Sequence, residues 1–308
     1  MNYRALGRSG LTISALSLGT VSLGVDYGIE APGEFGRPDD ADAIRLLRAA
    51  VDRGITLIDT APAYGESERL VGLAVGGDAR VVIATKVNAM GVASGFSRTV
   101  AASIESSLKT LKRDVLDIVQ IHNATAALIA DGSVTDALLD AQRRGLVRAI
   151  GASVYGEEAA LAVIRAGHFT VLQVAFSVLD QRMARAVLPA AETAGVGVIV
   201  RSAFLKGALT PKAQWLPASL APLREAATRA CDALAGGVWE RLPEAAMRFC
   251  LSAPRVASVL TGARTVAELE AAVAAETAGP LDPSALAEAA RLGLTDERLL
   301  NPSQWDIP

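Results

Sequence analysis

Short apolar runs recur along the chain, and each is separated from the next by a longer stretch with helical spacing of polar and apolar positions. The runs lie near 15–19, 55–60, 81–86, 115–122, 147–153, 171–175, 196–201 and 256–261. Each has the length and composition of a β-strand. Between them, DDADAIRLLRAAVDRG (39–54) carries acids in its first turn and Gly54 as a stop. SRTVAASIESSLKTLKRD (97–114) is expected to begin at Ser97 as a cap. SVTDALLDAQRRG (133–145) and EEAALAVIRAG (157–167) both end at glycine, where a left-handed closing residue costs little, and the stretch 190–195 ends the same way.

Repeated strand–helix alternation means a parallel sheet. Eight such units in 308 residues predict an α/β fold closed into a (β/α)8 TIM barrel. The opening YRALGRSGLTISAL differs: two short runs flank Gly7 and Gly10, predicting an N-terminal β-hairpin that closes the bottom of the barrel. Three segments interrupt the rhythm: Val21 to Pro38, Ser202 to Leu242, and the tail after Thr295. They are expected as long loops, the first two on the catalytic face because they follow strands. No linker-like composition appears, so 1–308 is expected to form a single domain.

Composition narrows the functional classes. The chain is 51% hydrophobic and 20% charged, which is globular, and its net charge of −3 gives no sign of nucleic acid or anionic membrane as a partner, so neither is expected. No apolar stretch reaches the roughly 18 residues of a membrane helix. The start MNYRALGRSGLTIS lacks the apolar centre of a signal peptide, so a cytoplasmic location is expected. Cys231 and Cys250 fall in helix-like segments and read as buried free thiols. With two thiols and two histidines, no metal cluster of soft ligands is expected.

The chemistry concentrates in four residues, in the order Asp59, Tyr64, Lys86, His122. Each stands at or just beyond the end of an apolar run: ITLIDT (55–60), followed by APAYGES; VVIATK (81–86); and LDIVQIH (116–122). Strand C-termini are where parallel α/β barrels build active sites. A phenol beside an ammonium, with an imidazole nearby, is equipped to move a proton. Singly, each residue has an ordinary structural role; together, all four at strand ends, they form a specific set.

In this order and spacing, DTAPAYGESE, ATK and QIH resemble the aldo-keto reductase superfamily, and the likeness continues through ALGRSGLTIS, GLVRAIGAS and SVLTGAR over nearly the whole chain. The resemblance implies a nicotinamide-dependent oxidoreductase acting on a carbonyl or alcohol substrate such as an aldehyde, ketone or sugar. Tyr64 would be the general acid, Lys86 would ease its proton release, Asp59 would hold Lys86, and His122 would aim the carbonyl oxygen. It also implies an extended dinucleotide across the barrel mouth, with Ser153 and Gln173 on the carboxamide, and Arg201 and Ser202 over the nicotinamide and pyrophosphate. Gly262 would allow a tight turn, and Arg264 with the following helix N-terminus would meet a 2′-phosphate, favouring NADP(H). Glu268 would instead suit the ribose hydroxyl of NAD(H).

The chain departs from the family pattern at Val154, where an asparagine is frequent, at Arg201, often aromatic, and at Ala271 and Ala272, which replace a Glu-Asn pair. These departures leave room for two alternatives: a redox-neutral elimination or isomerisation that uses bound nicotinamide, and a catalytically inactive regulatory barrel. Tyr27, Phe35, Trp215 and Trp305 are candidates for the apolar wall of a substrate pocket, whereas His168 is read as a surface or helix-end residue without a role. Neither the aromatic content nor any charged loop cluster identifies the substrate, and the oligomeric state is not legible.

Overall fold

The computed structural model describes residues 1–33, 35–88 and 96–307, with the side chains of Phe96 and Ser97 outside the described set. Two short strands, β1 (Tyr3–Ala5) and β2 (Thr12–Ser14), pair antiparallel. Eight further strands follow: β3 (Leu16–Gly19), β4 (Leu57–Asp59), β5 (Val82–Asn88), β6 (Leu116–Ala124), β7 (Val147–Val154), β8 (Val171–Ala175), β9 (Gly197–Arg201) and β10 (Ser258–Gly262). They close into one parallel barrel in chain order, with β10 returning to pair with β3. The predicted (β/α)8 architecture is thus the observed one, and the strand positions agree closely with the apolar runs.

The helices form where amphipathic spacing and end signals coincide. Asp39 caps Asp40–Asp52 by accepting from the Asp42 amide, and Gly54 leaves the helix at φ 88°. Glu157–Ala166 closes on Gly167 at φ 75°. The helix expected to start at Ser97 runs instead over Phe96–Leu111, so Ser97 lies within its first turn; its side chain falls outside the described residues.

The hairpin seals one end of the cylinder. Leu6, Leu11 and Ile13 are buried against Leu57, Ala84, Ile118, Val171 and Ile199, all from the N-terminal halves of barrel strands. Gly7 bridges to Val196 at φ 52°, and a Cβ there would collide with the backbone of Gly195 and Gly197, so only glycine lets the hairpin dock this closely. With the bottom filled by aliphatic side chains, the opposite, C-terminal end is left for chemistry.

All three segments expected as loops carry some structure, the first only the short helix Val21–Gly24. Residues 202–242 hold short 3-10 turns and a helix, Ala221–Ala235, and the tail holds Glu297–Leu300. Their proline content hid the helical stretches: Pro222 sits at the start of Ala221–Ala235, a position where its missing N–H is harmless. Cys231 and Cys250 are buried free thiols in helices.

Candidate active site

Asp59 ends β4 and Lys86 lies in β5, the neighbouring strand, and both point into the barrel. Their side chains are 4% and 1% exposed and form an ion pair, Lys86 Nζ to Asp59 Oδ1, at 2.5 Å. Lys86 Nζ also donates to the Thr60 carbonyl over 3.0 Å. Burial pulls the ammonium toward neutrality, but Asp59 and then Tyr64 outweigh it, so Lys86 sits above the usual lysine range and is charged at neutral pH. A buried charge pair of this kind depends on both partners, because either alone would be a desolvated charge.

Tyr64 is carried on the turn after β4. Its amide donates to Ala61 O and its carbonyl accepts from the Ser67 amide, each at 3.0 Å. Gly65 takes φ 53° to turn the chain. Below it, the Ser67 hydroxyl bonds to those of Thr20 (2.5 Å) and Thr60 (2.8 Å), tying the turn to two strand ends. Gly24, from the short helix Val21–Gly24, packs so tightly against this turn that a Cβ would strike the Tyr64 carbonyl. Held in this way, the Tyr64 ring centroid lies 5.0 Å from Lys86 Nζ.

His122 meets Tyr64 edge to face, with centroids 5.6 Å apart and planes at 85°. It is half-buried near the end of β6. Burial, and next the charge of Lys86, lower its pKa from 6.5 to about 4. The imidazole is therefore neutral at physiological pH, with one N–H to donate and one nitrogen to accept.

A polar chain crosses the barrel behind these residues. Ser153 Oγ donates to Gln173 Oε1 (3.1 Å), and Gln173 Nε2 donates to Asp59 Oδ2 (2.8 Å). Gln120 Nε2 donates to the same oxygen at 3.1 Å. Gln173, read as a cofactor ligand, thus also touches the Asp59 carboxylate, and Ser153 reaches it only through Gln173, which sequence reasoning did not foresee. Gln120 was missed as well. It precedes His122 by two in a strand, so it faces the same side, and that period was the available signal. Gln120 is fully buried and its Oε1 has no partner among the described residues.

Arg201 ends β9 beside Ser202. Its Nη2 donates to Val154 O (2.9 Å), its Nη1 to Ser202 Oγ (3.2 Å), and its guanidinium lies 4.0 Å from the Tyr155 ring centroid. The tyrosine and the backbone carbonyl explain how a cation is accommodated there. Across the mouth, Gly262 ends β10 without a left-handed φ and with open space where a Cβ would stand, so the tight-turn reading of that glycine is not met. Arg264 donates to Gly36 O (3.1 Å) and faces Glu268 at 3.9 Å. Glu268 accepts from the Arg264 amide (2.7 Å), while its own amide donates to the capping Thr265 Oγ1 (3.1 Å). This is close to a capping box, and it places a carboxylate at the helix N-terminus where a phosphate was expected. Ala271 is exposed and Ala272 is buried in the core.

Of the aromatic candidates, Tyr27 is 37% exposed and its ring centroid lies 5.1 Å from Lys206 Nζ. Trp305 is 6% exposed and donates to Arg298 O, a packing role rather than a pocket wall. Trp215 is 49% exposed, Phe35 is half-buried, and His168 is on the surface.

Comparison with known proteins agrees with this geometry. The sequence profile of the Aldo/keto reductase family matches residues 15–293. An aldo-keto reductase of Bacillus subtilis, YhdN, is 30% identical over 69% of this chain, and the match spans 65% of that protein. An L-galactose dehydrogenase of Arabidopsis thaliana is 30% identical over 90% of this chain and 88% of its own. The holo-form structure of aldo-keto reductase AKR11C1 from Bacillus halodurans superposes with a TM-score of 0.81 at 25% identity, covering 97% of this chain and 99% of that one. With a family profile matched across nearly its full length and the barrel closed as the family closes it, the chain belongs to the aldo/keto reductase family of oxidoreductases.

Proposed function

We propose that the protein interconverts a carbonyl and an alcohol using a nicotinamide dinucleotide, with Tyr64 as general acid and base. The observation that carries this reading is the Lys86 ammonium, buried between the Asp59 carboxylate and the Tyr64 ring. The Arabidopsis relative is named a dehydrogenase of a sugar, which supports the same chemistry run toward the carbonyl.

The residues present fit the nucleotide at its nicotinamide end. Ser153 and Gln173 set a hydroxyl and an amide side by side at adjacent strand ends, both buried, which suits a carboxamide. At the other end, the helix start at Thr265 with Arg264 would face the adenosine phosphate, and Glu268 would compete for that position. The balance of Arg264 and Glu268 decides between NADP(H) and NAD(H). When bound, the nucleotide supplies or accepts the hydride.

The chain's own residues handle the proton. In the reducing direction the Tyr64 hydroxyl donates to the carbonyl oxygen, and the charge of Lys86 stabilises the phenolate left behind. Asp59 holds Lys86 in place and is itself held by Gln120 and Gln173. Neutral His122 donates an N–H to the same carbonyl oxygen and orients it, without competing as an acid. The test is nucleotide oxidation with a panel of aldehydes and ketones. Wild type turns over, and Tyr64→Phe binds nucleotide with little change yet loses turnover. Full turnover by Tyr64→Phe would refute the assignment.

A further inference from the structure

Among the described residues, buried Asp and Glu side chains face cations, with one exception. Asp59 pairs with Lys86, Asp117 with Arg148, Asp180 with Arg182 and Glu276 with the ammonium of Met1. Glu68 is 5% exposed, and its partners are two hydroxyls. Its Oε1 accepts from Thr85 Oγ1 at 2.5 Å and from Ser107 Oγ at 2.9 Å. Burial holds the carboxyl above the usual glutamate range, and the two hydroxyls and then Lys86 offset only part of that. A carboxyl buried in this way is costly to keep unless its hydrogen bonds perform a task that an apolar side chain cannot.

Glu68 links the two chain segments that the proposed reaction needs at a fixed separation. It lies in the first turn of the helix Ser67–Val75, which begins just after the turn that bears Tyr64. Its partner Thr85 immediately precedes Lys86 in β5. Successive strand residues face opposite sides, so Lys86 enters the barrel while Thr85 meets the surrounding helices. The neighbouring Ser67 ties the same helix start to Thr20 and Thr60, just past the ends of β3 and β4. Ser67 thereby fixes the turn against β3 and β4, and Glu68 fixes it against β5, through the side-chain hydrogen bond that joins this helix to that strand. Ladder bonds hold β5 to β4, but β4 ends at Asp59, so Tyr64 lies on the turn beyond them.

We propose that Glu68 is a positioning residue for the proton transfer: by accepting from Thr85, it sets how closely the turn bearing Tyr64 approaches the strand bearing Lys86. The Tyr64 ring centroid lies 5.0 Å from Lys86 Nζ, in a buried site where the interaction of charge and phenol changes steeply with distance. Ser107 supplies the second bond, but its helix, Phe96–Leu111, carries none of the four reacting residues. The inference rests on the oxidoreductase reading above and adds to it a residue outside the barrel interior.

The experiment measures kcat, KM, nucleotide affinity by fluorescence titration and the urea midpoint, using the most active carbonyl of the panel at a temperature where every variant is folded by circular dichroism. Thr85→Val and Glu68→Ala should each lower kcat by about tenfold to a hundredfold, the scale of a small misplacement, with nucleotide affinity near wild type. Thr85→Val nearly keeps the side chain's size, so it carries the test if Glu68→Ala fails to fold. Glu68→Gln, which retains an acceptor oxygen, should restore most of kcat. Ser107→Ala removes the other bond to the same oxygen and should leave kcat near wild type even where it lowers the urea midpoint. In a Lys86→Met background, Thr85→Val should have little further effect on kcat, because the two act through one separation. Wild-type kcat in Thr85→Val overturns the role, as do equal losses of kcat in Thr85→Val and Ser107→Ala, or an undiminished Thr85→Val effect in the Lys86→Met background. Failure of the wild type to turn over any panel carbonyl removes the oxidoreductase reading and this role with it, a result distinct from turnover that ignores Glu68 and Thr85.

Discussion

The amide of Gln173 donates to Asp59 Oδ2 over 2.8 Å, from β8 across the interior of the barrel to β4. One end of this residue's amide therefore touches the carboxylate that holds Lys86, and the other accepts from Ser153. Under the proposed function, nucleotide binding and proton transfer would share a side chain. Gln173→Leu is expected to weaken nucleotide binding and lower kcat together. Gln120→Leu, which removes only the second donor to the same oxygen, should lower kcat and leave nucleotide affinity near wild type. Each change strips a buried donor from a charged acceptor, a loss of about 1–3 kcal/mol. Fluorescence titration and steady-state kinetics on both variants decide it, and identical behaviour of the two would separate Gln173 from the nucleotide.

Lys86→Met should lower kcat by roughly 10²–10⁴, the range for a lost proton-transfer aid, with a much smaller change in KM. The same variant leaves Asp59 buried and unpaired, so unfolding in urea should show a loss of about 3–5 kcal/mol unless the carboxylate takes up a proton. An unchanged kcat would remove Lys86 from the mechanism.

His122 should titrate near pH 4, measured by NMR of the imidazole C–H resonances with His122→Asn to assign them. The sign follows from linkage. The folded state holds the His122 proton less tightly than the unfolded chain, so the stabilising contribution of neutral His122 is present above about pH 6.5. It declines as pH falls toward 4. Because the imidazole stays neutral, kcat should show no loss attributable to His122 protonation between pH 5 and pH 7; a midpoint near the ordinary histidine value would contradict the burial that sets it.

Glu268→Gln should shift the ratio of kcat/KM toward NADPH, and Arg264→Met toward NADH. The physical reason is the carboxylate at the helix N-terminus, which occupies the position that favours phosphate. Equal ratios for both nucleotides before and after either change would dissociate this turn from the adenosine end.

Much of the barrel could be read along the chain because local rules govern it. Apolar runs spaced by amphipathic helices leave one economical closure, and Gly7, Gly54 and Gly167 mark turns that only a positive φ can make. Asp59, Tyr64, Lys86 and His122 were legible because strand ends of a parallel barrel converge on one face. The helix within 202–242 was not, since proline reads as a break until its place in the first turn is known.

The linear chain by itself determined the repeating units, the sealed bottom and the types of side chain delivered to the opposite rim. Tertiary structure alone decided what those side chains meet. Gln120 and Gln173, distant in sequence, share one oxygen of Asp59; Arg264 is held by Glu268; and Arg201 lies against the Tyr155 ring and donates to the Val154 carbonyl. Periodicity sets which face a residue occupies, whereas distances across a closed sheet depend on strand register and on how every layer beneath has packed.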